Sequence, residues 1–166
     1  MSSEVDEHLP SPTATLRIVI DDLSGPEVAA LLTQHLAEMY DNSPAGSVHA
    51  LDLDALRGPN VTFWSAWENS ELAGCGALKQ LDPTHGEIKS MRTATDRTGR
   101  GIAPTLLNHL IAEARARGYH RLSLETGASD YFAPAQRLYA RHGFEVCAPF
   151  ADYLEDPHSV FMTRAL

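Results

Sequence analysis

Cysteine is scarce in this sequence of 166 residues, and long apolar runs are missing. Cys75 and Cys147 lie far apart and form no CxxC pair, which argues against a disulfide framework and a zinc site. No stretch approaches the roughly 20 apolar residues that a membrane helix needs. Positive charge is also in short supply, and the net charge of −9 argues against nonspecific nucleic-acid binding, which needs a positive field.

The remaining composition is that of a globular protein, and the length suits one domain. Residues 1–14 are acidic and rich in Pro and Ser, so we expect a flexible tail before a domain over residues 15–166. This tail lacks the apolar core of a signal peptide, and we expect a cytoplasmic protein with no membrane or nucleic-acid partner. The eight histidines form no HxH or HxxxH pair, so we expect no metal and place them on the surface or in loops.

Hydrophobic periodicity predicts alternating strands and helices, which is an α/β pattern. Residues 47–60 fit a short helix or an irregular loop equally well. The other predicted helices are 24–44, 103–117 and 131–142, and the predicted strands are 15–23, 61–67, 72–81, 86–94, 121–126, 145–148 and 159–166.

The strand over residues 86–94 breaks the usual alternation of side chains. Ile88 and Met91 are three residues apart, so a regular strand cannot place both on one face. A β-bulge, in which one strand carries an extra residue, would reconcile them.

The segment TDRTGRGIAPTLL, residues 95–107, places two glycines before the helix that begins near Ala103. The first N–H groups of a helix have no intrahelical partner and attract anions, and glycine lets a ligand approach the backbone closely. Arg97 and Arg100 add mobile positive charge. The segment therefore indicates a phosphate cradle, although a simple turn would explain the glycines equally well. It matches neither GxxxxGK[ST] nor GxGxxG, because Pro104 occupies the last glycine position.

Two motifs at the correct separation resemble those of the GNAT superfamily of acyl-CoA-dependent N-acyltransferases. The first, [Q/R]-x-x-G-x-[G/A], is matched at Gly101 and Ala103, whereas Thr98 replaces the usual Gln or Arg. Phe132 stands where many members carry Asn. The second motif, A-x-x-x-Y-x-x-x-G-F, is matched in full by Ala135, Tyr139, Gly143 and Phe144.

The resemblance implies a GNAT fold, with a mixed, mostly antiparallel sheet flanked by helices. It implies direct transfer of an acetyl group from acetyl-CoA to a primary amine of a small molecule. The implied contacts to the coenzyme pyrophosphate come from the loop, and those to its pantetheine arm come from the main chain of the preceding strand. These cofactor-binding residues are Met91, Arg92, Thr93, Arg97, Thr98, Gly99, Arg100, Gly101, Ile102 and Ala103.

Amine acetylation needs a group that accepts a proton, because an alkyl amine with a pKa of about 10.4 is mostly protonated at neutral pH. Glu87 is the candidate base, with a salt-bridged strand-end carboxylate as the competing interpretation and Glu125 as an alternative base. A backbone N–H near Met91 or Arg92 would stabilise the oxyanion. Tyr139 matches the tyrosine that protonates the departing thiolate in the family, although an aromatic residue at helical spacing also suits a core.

The amine acceptor is expected between residues 40–56 and 150–158. The acidic segment Asp152–Asp156 would attract a cation there, or would be a solvated loop. A non-catalytic domain that binds acyl-CoA to regulate a partner is the alternative function. Because C-terminal strands often pair two subunits in the family, a homodimer is also considered.

Overall fold

The structure, a computed structural model, describes residues 16–166. The predicted tail over residues 1–14 lies outside the described residues. In this part of the chain a seven-stranded sheet in the order β1-β2-β3-β4-β5-β7-β6 forms the centre, and only β4 and β5 run parallel to each other. The predicted mixed, mostly antiparallel sheet is confirmed. Its strands are β1 Arg17–Ile20, β2 Val61–Glu68, β3 Glu71–Asp82, β4 His85–Thr93, β5 Arg121–Gly127, β6 Glu145–Cys147 and β7 Ser159–Ala165.

Among the described residues, four α-helices flank the sheet, namely α1 Pro26–Asn42, α2 Leu53–Leu56, α3 Ile102–Ala116 and α4 Ala133–Arg141. Residues 47–60, which fitted a short helix or a loop equally well, contain the short helix α2. This helix begins where the Asp52 carboxylate accepts a hydrogen bond from the Ala55 N–H at 2.9 Å. Within residues 16–166, no helix has the length and apolar character needed to cross a membrane.

The helices cover opposite faces of the sheet because neighbouring residues of a strand point to opposite sides. Cys75 and Ala77 of β3 belong to a core cluster with the buried residues of α1 and α2. Leu78, the next residue, belongs to a second cluster with Leu107 and Leu110 of α3. Because α4 contributes Tyr139 to this second cluster, α3 and α4 share one face and α1 and α2 the other.

The predicted bulge is present in β4. Cys75 pairs with Arg92 and Ala77 pairs with Lys89, so three steps along β4 match two along β3. Ser90, within this interval, has φ +53°, a conformation that non-glycine residues seldom adopt. The extra residue turns the end of β4 away from its earlier direction.

β4 and β5 separate before the bulge is reached. Their last paired residues are Glu87 and Ser123, although β4 continues to Thr93 and β5 to Gly127. The two strands therefore part within the sheet, and an open slot lies between their carboxyl ends.

Gly127, at the end of β5, lets the Phe132 ring lie directly on the backbone. A Cβ atom at Gly127 would fall 2.1 Å from two ring carbons of Phe132, a distance that no relaxed structure accommodates. This contact fixes the segment that leads into α4 against the end of β5.

Replacing Gly127 with Ala should destabilise the fold by about 2 kcal/mol, because the new methyl group must displace Phe132. Gly46→Ala is the matched control, since its Cβ would meet no atom within 4 Å. Denaturant unfolding of both variants measures the difference. Equal stabilities of the two variants would contradict the contact.

Candidate active site

The slot between β4 and β5 opens into a cleft of about 510 Å³. Side chains from both faces of the sheet line it, including those of α1, β4, β5 and α4. This volume suits a small-molecule ligand, whose sites are commonly clefts of this size.

A cradle of backbone amides borders the cleft, where Thr98 and Ala103 line it. Gly99 and Gly101 adopt φ +77° and φ +81°, which favour glycine. The first helical bond of α3 is donated by the Thr105 N–H to the Gly101 carbonyl at 3.2 Å, so the preceding amides have no helical acceptor. The predicted loop over residues 99–103 thus has the backbone geometry of an anion site.

Arg97 was expected to be a mobile positive charge, and this prediction is wrong. Its guanidinium is buried and donates to the carboxylates of Glu68 and Glu71, at the turn between β2 and β3. Arg100 is half-exposed, and its guanidinium lies 3.6 Å from Glu68. Arg97 therefore fastens the glycine loop to the neighbouring hairpin, and Arg100 is the more exposed of the two cations.

Met91, Arg92 and Thr93, the strand residues predicted to contact the coenzyme, also line the cleft. Beyond Glu87 the main chain of β4 has no strand partner on the β5 side, so this edge can accept an added extended chain. The Arg92 side chain extends to α1, where it pairs with Glu38, and its Nη1 atom lies 3.3 Å from the Tyr131 hydroxyl.

Tyr139 lines the cleft from α4, on the α3 face of the sheet. Its ring packs edge-on against Phe144 with centroids 5.8 Å apart. Burial raises the pKa of Tyr139 to about 12, so the phenol keeps its proton throughout the neutral range. Tyr139 is consequently both a core residue and a residue of the cleft.

Glu87, the candidate base, is buried and is not among the residues that line the cleft. Its carboxylate accepts hydrogen bonds from the Lys89 ammonium at 3.3 Å and from the Tyr153 hydroxyl. Lys89 also donates to the His49 carbonyl at 3.1 Å and to the Tyr153 hydroxyl at 2.9 Å. Glu87 thus lies behind the cleft wall and holds Lys89, which lines the cleft, in place.

Glu125, the alternative base, lines the cleft directly from β5. It lies on the strand face of Ser123, opposite Leu122 and Leu124, which pack with the α3 cluster. Burial raises the pKa of Glu125 to about 6. A carboxylate with this pKa takes up and releases protons close to neutral pH.

The two segments predicted for the acceptor meet beside the cleft. Ser43 and residues 47–50 line it, and the Ser47 hydroxyl donates to Asp156. The segment over residues 150–158 contributes Tyr153, which reaches Glu87 and Lys89 from behind the wall. Asp152 and Glu155 are exposed and do not line this cleft.

Sequence reasoning did not identify several cleft residues, namely His35, Glu38, Lys89 and Ser90. His35 corrects the expectation that the histidines lie on the surface or in loops, because it lies within α1 and its Nδ1 atom is buried. Its position on the apolar stripe of the helix, between Leu32 and Met39, was the available signal.

Comparison with known proteins gives a consistent result. The profile of the Acetyltransferase (GNAT) family matches residues 28–144. The N-acetyltransferase YsnE of Bacillus subtilis (strain 168), described as uncharacterized, is 58% identical over 91% of this chain and 100% of its own. The similarly described N-acetyltransferase YedL of Escherichia coli (strain K12) is 52% identical over 90% of this chain and 94% of its own.

A solved acetyltransferase of Bacillus subtilis in complex with CoA has a similar fold. It superposes with a TM-score of 0.65, is 21% identical, and covers 91% of this chain and 99% of its own.

Glu87→Ala should destabilise the protein by about 3 kcal/mol, because it leaves the buried Lys89 ammonium without its anion. The double variant Glu87→Ala/Lys89→Met should recover at least half of this loss in denaturant unfolding. Glu113→Ala, on the exposed side of α3, is the matched control and should change stability little. A double variant no more stable than Glu87→Ala would contradict the pairing.

Proposed function

The chain belongs to the GNAT acetyltransferase family, and on this premise we propose that it acetylates a primary amine of a small molecule directly, with acetyl-CoA as the donor. The observation that carries the proposal is the slot between β4 and β5. This slot brings Glu125 and Tyr139 into one cleft from opposite faces of the sheet, with the amide cradle beside it. A direct transfer needs a proton acceptor beside the attacking nitrogen and a proton donor beside the departing sulfur.

Acetyl-CoA would supply a thioester carbonyl as the electrophile. We propose that the N–H groups of residues 99–103 hold its pyrophosphate, with Arg100 as a nearby cation. This arrangement needs no particular side chain at Thr98. The free edge of β4 at residues 91–93 would bond the pantetheine amides in the manner of an added strand.

The acceptor amine must lose a proton before its nitrogen can attack. Glu125 is the better supported base because it lines the cleft and its pKa is raised to about 6, close to the working pH. Glu87, behind the wall, would act by positioning Lys89. A backbone N–H near Met91 would stabilise negative charge on the carbonyl oxygen.

The transfer is completed on the face of the sheet that carries α3 and Tyr139. A bond forms between the amine nitrogen and the acetyl carbon, the carbon–sulfur bond breaks, and the sulfur leaves with the electron pair of that bond. Tyr139 donates its phenolic proton to this thiolate and recovers one from solvent. Glu125 accepts the proton that the ammonium group loses before attack and releases it to solvent, and it then accepts the second proton, which the nitrogen loses as the amide forms. Solvent returns one proton to Tyr139, so the net products are the amide, the CoA thiol and one proton.

We expect kcat/KM to rise as the pH passes through about 6, because the ionised form of Glu125 is the active one. Glu125→Gln should remove this dependence and lower kcat/KM about 100-fold at pH 7. Glu87→Gln should keep the dependence. If Glu87→Gln removed the rise near pH 6 and Glu125→Gln kept it, Glu87 would be the base.

Tyr139→Phe should lower turnover at least tenfold with little change in acetyl-CoA affinity, because only the proton donor is lost. Release of the CoA thiol across a panel of primary amines measures turnover, and thermal stabilisation by CoA measures binding. Tyr119→Phe, whose hydroxyl donates to Gln80 at 3.2 Å outside the cleft, is the matched control. Turnover near that of wild type would exclude Tyr139 as the acid, and thiol release with no amine would exclude the proposed function.

A further inference from the structure

The cleft gathers side-chain atoms that lack a hydrogen-bond partner. Among residues 16–166, five buried side-chain N and O atoms have none. Three of these atoms belong to side chains that line the cleft. The other two, in His109 and Ser159, belong to side chains outside it. Buried polar groups are nearly always paired, so this grouping points to a ligand that satisfies them. The three atoms are His35 Nδ1, Ser90 Oγ and Arg92 Nε.

Two of the three side chains, His35 and Arg92, lie on the α1 side of the cleft. His35 belongs to α1, and the Arg92 guanidinium extends toward α1 to pair with Glu38. Arg92 is close enough to His35 to lower its pKa. The amide cradle lies instead at the start of α3, where Thr98 and Ala103 line the cleft.

All three side chains can donate a hydrogen bond. The Arg92 guanidinium has donors only, and its two terminal nitrogens already contact Glu38, Tyr131 and Thr95. Ser90 has a hydroxyl donor. Burial and the Arg92 charge lower the pKa of His35 to about 4, so its imidazole is neutral at pH 7 and has one donating nitrogen. An oxygen-rich anion satisfies such a set.

The neighbouring charges are already engaged. Lys89 uses its three N–H groups on Glu87, Tyr153 and the His49 carbonyl. The carboxylate of Glu38 is paired with Arg92. Glu125 of β5 also lines the cleft, on the other side of the slot from Ser90 and Arg92 of β4. The cleft thus offers donors on one wall and a proton acceptor on the other.

We infer that the acceptor is an amino acid or a closely related zwitterion, with its carboxylate on Arg92, Ser90 and His35 and its amine toward Glu125. This inference rests on the proposed acetylation of a primary amine. The carboxylate takes no part in bond making; it fixes the distance between the amine and Glu125.

Matched trios of acceptors test the inference with the wild-type enzyme. Each trio contains an amino acid, its primary amide and its decarboxylated amine, for example phenylalanine, phenylalaninamide and phenethylamine. The amino acid should show a kcat/KM at least tenfold above both analogues for at least one side chain, since a charge-assisted contact is lost in each. An amide or decarboxylated amine that equals the amino acid in every trio would overturn the inference. Thiol release with no amine of any kind would instead defeat the proposed function.

Substitutions then test whether the unpaired donors cause the preference for an amino acid over its analogues. Ser90→Ala should lower the ratio of kcat/KM between amino acid and decarboxylated amine at least fivefold, with the KM for acetyl-CoA unchanged. His109→Gln, at a buried unpaired atom outside the cleft, should keep the wild-type ratio. A raised KM for acetyl-CoA with an unchanged ratio in Ser90→Ala would assign the donors to the coenzyme and overturn the inference.

Discussion

The site depends on the hydrogen bonds that β4 and β5 do not make. Two parallel strands in the middle of a sheet would normally pair along their whole length, and the sheet would then separate its two faces completely. Here the pairing ends at Glu87 and Ser123, and the extra residue near Ser90 turns the end of β4 away. Glu125 and Tyr139, which belong to opposite faces, can consequently line one cleft.

Several acidic side chains beside the glycine loop and the cleft are paired with arginine or lysine. In a protein with a net charge of −9, an unpaired carboxylate near a phosphate site would repel the ligand. Arg97 neutralises Glu68 and Glu71 beside the glycine loop, while Arg92 pairs with Glu38 and Lys89 with Glu87 beside the cleft. The proposed anion site can then rely on backbone amides, which attract phosphate without adding a mobile side chain.

Local sequence signals predicted much of this arrangement. The spacing of Ile88 and Met91 predicted the bulge, and the apolar periodicity from Ala103 predicted α3 to within one residue at each end. The long-range partners of side chains could not be predicted in this way. Arg97 looked like a free cation because its partners Glu68 and Glu71 lie 29 and 26 positions away in the sequence. Glu87 contacts Tyr153, which is 66 positions away, and does not line the cleft, whereas Glu125 does. The roles proposed for Glu87, Glu125 and Tyr139 stay predictions.

The most direct measurement is a crystal structure with CoA bound. We expect pyrophosphate oxygens within about 3.2 Å of the N–H groups of residues 99–103, and the CoA sulfur in the slot between Glu125 and Tyr139. Both features must be present together, because the slot is what joins the cradle to the reacting groups. CoA bound with its sulfur outside the space between β4 and β5 would contradict the account.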